Sequence, residues 1–98
     1  MSGAKFSFES SPWKYQGKGG WVFVSVPAHL SQEIRQYFKN EEQGWGRLKV
    51  TASVNDIKWS TAIWYDSKHD TYLLPLKAEI RKNAHLLTGK SYTFSIWI

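Results

Sequence analysis

TYLLPLKAEIRKNAHLLTGKSYTFSIWI, residues Thr71 to Ile98, reads as strand, short helix, glycine-marked turn and strand. Tyr72, Leu73, Leu74 and Leu76 form a short apolar run suited to a buried strand. Pro75 has no N–H to give a ladder, which places this strand at an edge or at a bulge. Ala78 to Asn83 are helix formers, but under two turns of helix do not hold themselves in water. Packing through Ile80, Leu86 and Leu87 is therefore expected to hold that helix. Gly89 supplies the positive φ of a tight turn. Beyond it Tyr92, Phe94, Ile96 and Ile98 alternate with Ser91, Thr93, Ser95 and Trp97, the period of a half-buried strand. The chain ends inside this strand, so the C-terminus is expected to be structural.

Working outward, Gly20 to Val54 repeats the plan. Val22, Val24 and Val26 make one face of a strand, and Trp21, Phe23 and Ser25 the other, a two-sided apolarity that points to a central strand. Pro27 ends it. Ser31 is the expected N-cap of a helix, with Glu33 in its first turn and Leu30, Ile34, Tyr37 and Phe38 at helical spacing. Leu48, Val50, Ala52 and Val54 alternate with Arg47, Lys49, Thr51 and Ser53. Asn55-Asp56 is a two-residue turn that tolerates positive φ. Ile57 to Tyr65 returns, with Ile57, Trp59 and Ile63 on one face and Lys58, Ser60 and Trp64 on the other. Upstream, Phe6 and Phe8 mark a first strand that Trp13 and Tyr15 continue, and Gly17, Gly19 and Gly20 make a flexible turn. The sum is six strands and two short helices: a mainly β, six-stranded double-split-type β-barrel.

The length of 98 residues bounds this to one domain, residues 1–98, with residues 1–5 a flexible start. Six Trp, five Tyr and five Phe exceed what a small core needs, so one or two Trp belong on the surface. There is no Cys, which removes disulfide and thiolate chemistry. No apolar stretch has signal-peptide or membrane-span length, so the expected location is cytoplasmic, with no membrane partner.

The formal net charge of +5 admits nucleic acid or an acidic ligand as a partner. Arg47 and Lys49 share an outward face, and Lys58 and Trp64 lie on the outward face of the next strand. Paired as a hairpin they form one basic and aromatic patch, in which Arg grips phosphate and a ring stacks on a base. Arg81, on the late helix with Lys77 and Lys82, is a further binding candidate, or ties its helix to a strand carbonyl. No serine elbow or carboxylate pair marks catalysis, so a non-enzymatic binding module with no cofactor is expected. Its alternatives are a protein-interaction module with an apolar patch at Trp13, Trp45 or Trp97, as a homodimer or with another partner, and a small-molecule site in the barrel mouth. His69 between Asp66 and Asp70 reads as a solvated loop rather than a metal site, and Glu41 and Glu42 as a solvated turn.

Three runs carry a family resemblance: GGWVFVSVP (Gly19 to Pro27), WSTAIWY (Trp59 to Tyr65) and, most specifically, YLLPLKAEIRKNAHLLTGK (Tyr72 to Lys90). Together they resemble an uncharacterised bacterial family of small β-barrels, a domain of unknown function found alone or beside YdeI/OmpD-associated regions. The resemblance spans Phe6 to Ile98 and implies a double-split barrel similar to AbrB- and MazE-type proteins. It brings no catalytic residues, and DNA binding does not carry over, since that needs a dimer face with its own basic residues. A YdeI-like partner is an expectation of the same kind. Lys90 stands where the family usually has Asp, and the segment Asp66 to Asp70 replaces a glycine-rich loop. A shared function resting on those positions is expected to be altered here.

Overall fold

The computed structural model describes residues 3–44 and 46–98. Trp45, one of the expected patch residues, lies outside them. Among the described residues seven strands make one sheet: β1 (Lys5–Ser10), β2 (Trp13–Lys14), β3 (Val22–Ser25), β4 (Arg47–Val54), β5 (Ile57–Asp66), β6 (Thr71–Pro75) and β7 (Tyr92–Trp97). Helix α1 (Ala28–Phe38) follows β3, and α2 (Ala78–Asn83) follows β6. The strands lie in the order β1-β7-β4-β5-β6-β3-β2, each pair antiparallel.

This order forces curvature. β1 and β2 occupy opposite edges, yet only Ser11 and Pro12 separate them in the chain. Three extended residue steps reach about 11 Å. A flat seven-stranded sheet would set its edges about 29 Å apart. The sheet therefore curls into a half-barrel. Ser10 Oγ on β1 donates to the Ser25 carbonyl on β3 at 2.8 Å, across the closure, and Trp13 Nε1 on the neighbouring β2 donates to Ser25 Oγ at 3.0 Å. The count rises from the expected six because Trp13 does not continue the first strand. Pro12 breaks it, and Trp13 and Lys14 pair with Phe23 and Val22 on the far edge. β3 lies between β6 and β2, paired on both sides as expected of an interior strand, and other rings lie on the outer side of Phe23.

The inner face holds the core. Phe6, Phe8, Val24, Ile34, Leu48, Ile63, Tyr72, Leu74, Phe94 and Ile96 pack there as one cluster. The alternation read in residues 47–54 and 92–97 is the one observed, with even-numbered residues inward. The β4–β5 turn sits on Asn55 (φ 49°) and Asp56 (φ 66°). Asn55 Nδ2 also donates to the Ala84 carbonyl at 2.9 Å, fastening the hairpin to the end of α2. At the start of the described chain, Gly3 N–H donates to the Ile98 carbonyl at 3.2 Å and Ile98 N–H to the Ala4 carbonyl at 3.0 Å.

Several local readings change. Ser31 is not an N-cap. The helix begins at Ala28 after Pro27, and Ser31 is wholly buried one turn inside. Its Oγ donates to the Val26 carbonyl at 3.0 Å and accepts the Tyr72 N–H at 2.9 Å. Val26 N–H bonds the Tyr72 carbonyl directly at 2.9 Å. The hydroxyl thus stands in for one of the two ladder bonds of a strand pair and sews α1 to β3 and β6. Tyr37 and Leu87, expected inside, are 67% and 63% exposed. Ala84 and Leu86 are the buried residues at the end of the late helix.

Pro75 ends a strand that lies between β5 and β3, not at an edge. Leu76 N–H bonds the Val22 carbonyl, so the alternation turns the Pro75 nitrogen toward β5, where pairing has already stopped at Leu73. No ladder bond is lost. Gly89, at φ 87°, makes the turn before β7.

Candidate binding groove on the outer face

Antiparallel register decides which side chains share the outer face. Arg47 lies opposite Trp64, Lys49 opposite Ala62 and Thr51 opposite Ser60. Thr51 is also opposite Trp97 on its other side. Cross-strand neighbours of this kind have Cβ atoms about 5 Å apart. β5 pairs with β6 only over Trp64 to Asp66, and beyond that point the strands part. The parting leaves an open groove of about 750 Å³. Arg47, Lys49 and Lys77 line it with Trp21, Trp64 and Trp97, and Ser60, Thr51 and Ala62 lie between them. Among its described lining residues no side chain carries a carboxylate. All three cations are exposed, as a recruiting charge must be.

Trp21 reaches the groove from the glycine loop between β2 and β3. Gly19 has φ 95°, and a Cβ there would meet the Trp21 ring at 3.0 Å. A side chain at Gly19 would therefore strain the loop and crowd the indole. The indole lies 6.1 Å from Trp64, tilted 49°, and stacks on Phe23 at 6.0 Å with an interplanar angle of 7°. On the far side of these two tryptophans lies a second open trough, of about 620 Å³. Trp13, Tyr15, Phe23 and Leu73 line it, and Trp21 and Trp64 belong to both hollows.

The five residues read from sequence divide. Arg47, Lys49 and Trp64 come together in the groove. Lys58 shares their face but sits six residues from Trp64 along β5, about 20 Å of extended strand. Its ammonium stands 4.7 Å from the Trp97 ring centre, with Lys5 at 5.3 Å, a pair of cation–π contacts at the groove's end. Arg81 is elsewhere. Its Nε donates to the Leu76 carbonyl at 3.1 Å and ties α2 to the end of β6. Lys77 takes the place in the groove that the late helix was read to offer through Arg81. Trp21 was not singled out for the patch, although the parity read for residues 21–26 sets it on the face of Phe23, just before β3 begins. Lys77 was named only with the late helix, and no local signal brings it to Arg47.

The turn carrying Glu42 is not a solvated one. Glu42 is only 11% exposed in its side chain and pairs with Arg35 Nη1 at 3.1 Å. It also accepts a hydrogen bond from the Tyr72 hydroxyl. Burial, and then that bond to a carboxylate, pushes the Tyr72 phenol far up. Arg35 lies 3.7 Å over the Tyr65 ring. The Tyr65 hydroxyl donates to Asp70 at 2.8 Å, which raises its pKa too. In the loop before β6, Asp66 bonds His69 Nδ1 at 2.7 Å and the Lys68 N–H at 3.0 Å. Burial works to raise the Asp66 pKa, but these bonds outweigh it and hold the carboxyl below its usual range.

No helix among the described residues is long and apolar enough to cross a membrane. No curated protein matches the chain. The family model described as Domain of unknown function (DUF1905) matches residues 8–96, nearly the whole length, so this chain belongs to the DUF1905 family.

Proposed function

We propose that this protein is a non-enzymatic binding module whose outer-face groove takes an acidic ligand, with nucleic acid the leading class. The observation that supports the reading is the groove's composition. Arg47, Lys49 and Lys77 converge with Trp21, Trp64 and Trp97, and no carboxylate side chain stands among its described lining. A solvated sheet face intersperses both signs of charge. Arg offers a planar fork to phosphate, the lysines add point charge, and the hydroxyls of Ser60 and Thr51 supply short polar contacts. The setting we propose is the bacterial cytoplasm, and the architecture a double-split-type variant. Both rest on the resemblance carried by residues 19–27, 59–65 and 72–90.

A protein-docking face, used by a second copy or another partner, is the competing reading, favoured by the exposure of Trp21 and Trp64 at 46% and 42%. Tryptophan fluorescence titration with mixed DNA and RNA oligonucleotides, at low and physiological salt, separates the two. The acidic-ligand reading expects saturable quenching that weakens as salt rises, because phosphate contacts release counterions. A flat response at both salts would retire it.

A further inference from the structure

We propose that the ligand is a single strand of nucleic acid, its phosphates over Arg47, Lys49 and Lys77 and its unpaired bases stacked on the exposed rings of Trp64, Trp21 and Tyr15. This rests on the acidic-ligand reading of the groove and narrows the ligand. The two hollows are one path, because Trp21 and Trp64 are walls of both. One half of that path is cationic and the other aromatic. The aromatic half is a row of neighbouring rings: Trp64 to Trp21 at 6.1 Å and tilted 49°, Trp21 stacked on Phe23 at 6.0 Å, and Phe23 to Trp13 at 5.5 Å and tilted 42°. Tyr15 stands edge-on to Phe23 at 6.3 Å and is 49% exposed.

Phe23, 7% exposed, supports Trp21 and Tyr15 from the protein side. The exposed rings of Trp64, Trp21 and Tyr15 beside fixed cations match a polymer that carries a charged backbone and bare π-faces side by side. A single strand has both. A duplex hides its base faces inside the stack and would set sugar and phosphate against these rings. The lone carboxylate side chain among the described residues of the aromatic trough, Asp66, is held by His69 and the Lys68 N–H. The carboxylate stays ionised, with its oxygens engaged by these partners, and the Lys68 side chain lines the same trough. The molecule is 33 Å in its longest extent, so the site belongs at the short end of the known range, about four nucleotides.

The test uses the full chain and a fluorescently labelled single-stranded oligodeoxynucleotide followed by anisotropy. Competitors are the unlabelled strand, its duplex, and inorganic polyphosphate as a chain of phosphates without bases. The single strand should bind at least about tenfold more tightly than the duplex, a free-energy gap of about 1.4 kcal/mol. Log affinity should fall against log salt with a slope of about −2, from three phosphate contacts at about 0.7 each. Trp64→Ala and Trp21→Ala should each weaken the single strand by about 5- to 150-fold while leaving polyphosphate unchanged. Trp64→Phe should restore much of the loss, which separates stacking from misfolding. Lys49→Ala should weaken both ligands and reduce the slope by about 0.7.

If polyphosphate or the duplex competes as well as the single strand and the tryptophan variants bind normally, the single-strand proposal falls and the acidic groove stands. If none of the three binds in a salt-sensitive way, both readings fall. Salt-insensitive self-association lost in Trp21→Ala would also overturn both, and would mark the face as an interface between copies of this chain.

Discussion

Ser31 offers the sharpest test of how this fold is held. Ser31→Ala removes one oxygen from a site with no exposed surface. That oxygen is the acceptor for the Tyr72 N–H at 2.9 Å and the donor to the Val26 carbonyl at 3.0 Å. Without it two buried backbone groups lose their partner, at about 1–3 kcal/mol each. Alanine returns about 0.5 kcal/mol through its better helix propensity, and strand closure over the gap recovers part of the rest. The expected net loss is about 2–3 kcal/mol, out of a total of about 5–15 kcal/mol for a domain of this kind. In a chain of this size that is a fall in Tm of about 8–24 °C. Urea unfolding should show a lower midpoint with an unchanged slope. Native-state hydrogen exchange should show the Tyr72 amide opening faster than its neighbours in β6. A Ser31→Ala protein within about 0.5 kcal/mol of wild type, with Tyr72 still protected, would refute the reasoning. It would show that the strands close a direct bond and that the serine is incidental.

Other outcomes follow from the same packing. Glu42→Ala strands the buried Tyr72 hydroxyl and should cost about 2 kcal/mol, whereas Tyr72→Phe in the Glu42→Ala background should cost little more. Additive losses in that cycle would mean that the two groups do not share a bond. The raised Tyr72 and Tyr65 pKa values favour the neutral phenols in the folded state. Their contribution is intact below the unfolded-state value of about 10 and is lost as pH rises above it. Chemical unfolding across that alkaline range should therefore show stability falling, and less steeply in Tyr72→Phe. An equal slope in the variant would argue against the assignment. At the hairpin turn, Asn55→Gly should lose only the bond to Ala84, about 1 kcal/mol. Asn55→Ala should lose about 1–2 kcal/mol more, because alanine resists φ of 49°. Equal midpoints for the two would show that the turn had relaxed.

What the sequence determined by itself was local and periodic. Period-two alternation assigned the inner and outer faces of residues 47–54, 57–65 and 92–97, since a strand has no other way to place successive side chains. Asn55-Asp56 announced its turn, and Gly89 the break before the last strand, because few residues accept those angles. The same parity put Arg47, Lys49 and Trp64 on one face. Tertiary structure alone decided the rest, because it depends on contacts between distant parts of the chain. That Trp13 crosses to the far edge follows from closure of the sheet, and no residue near position 13 encodes where β3 will be. Lys58 and Trp64 share a face in any register, but only the extended length of β5 sets them at opposite ends. Lys77 enters the groove because β5 and β6 part beyond Leu73. Arg81 stays out of it because its Nε is bound to the Leu76 carbonyl. Ser31 looks like a cap in one dimension, and it becomes a rivet only when Val26 and Tyr72, residues 41 apart from it in the longer case, are folded against its hydroxyl.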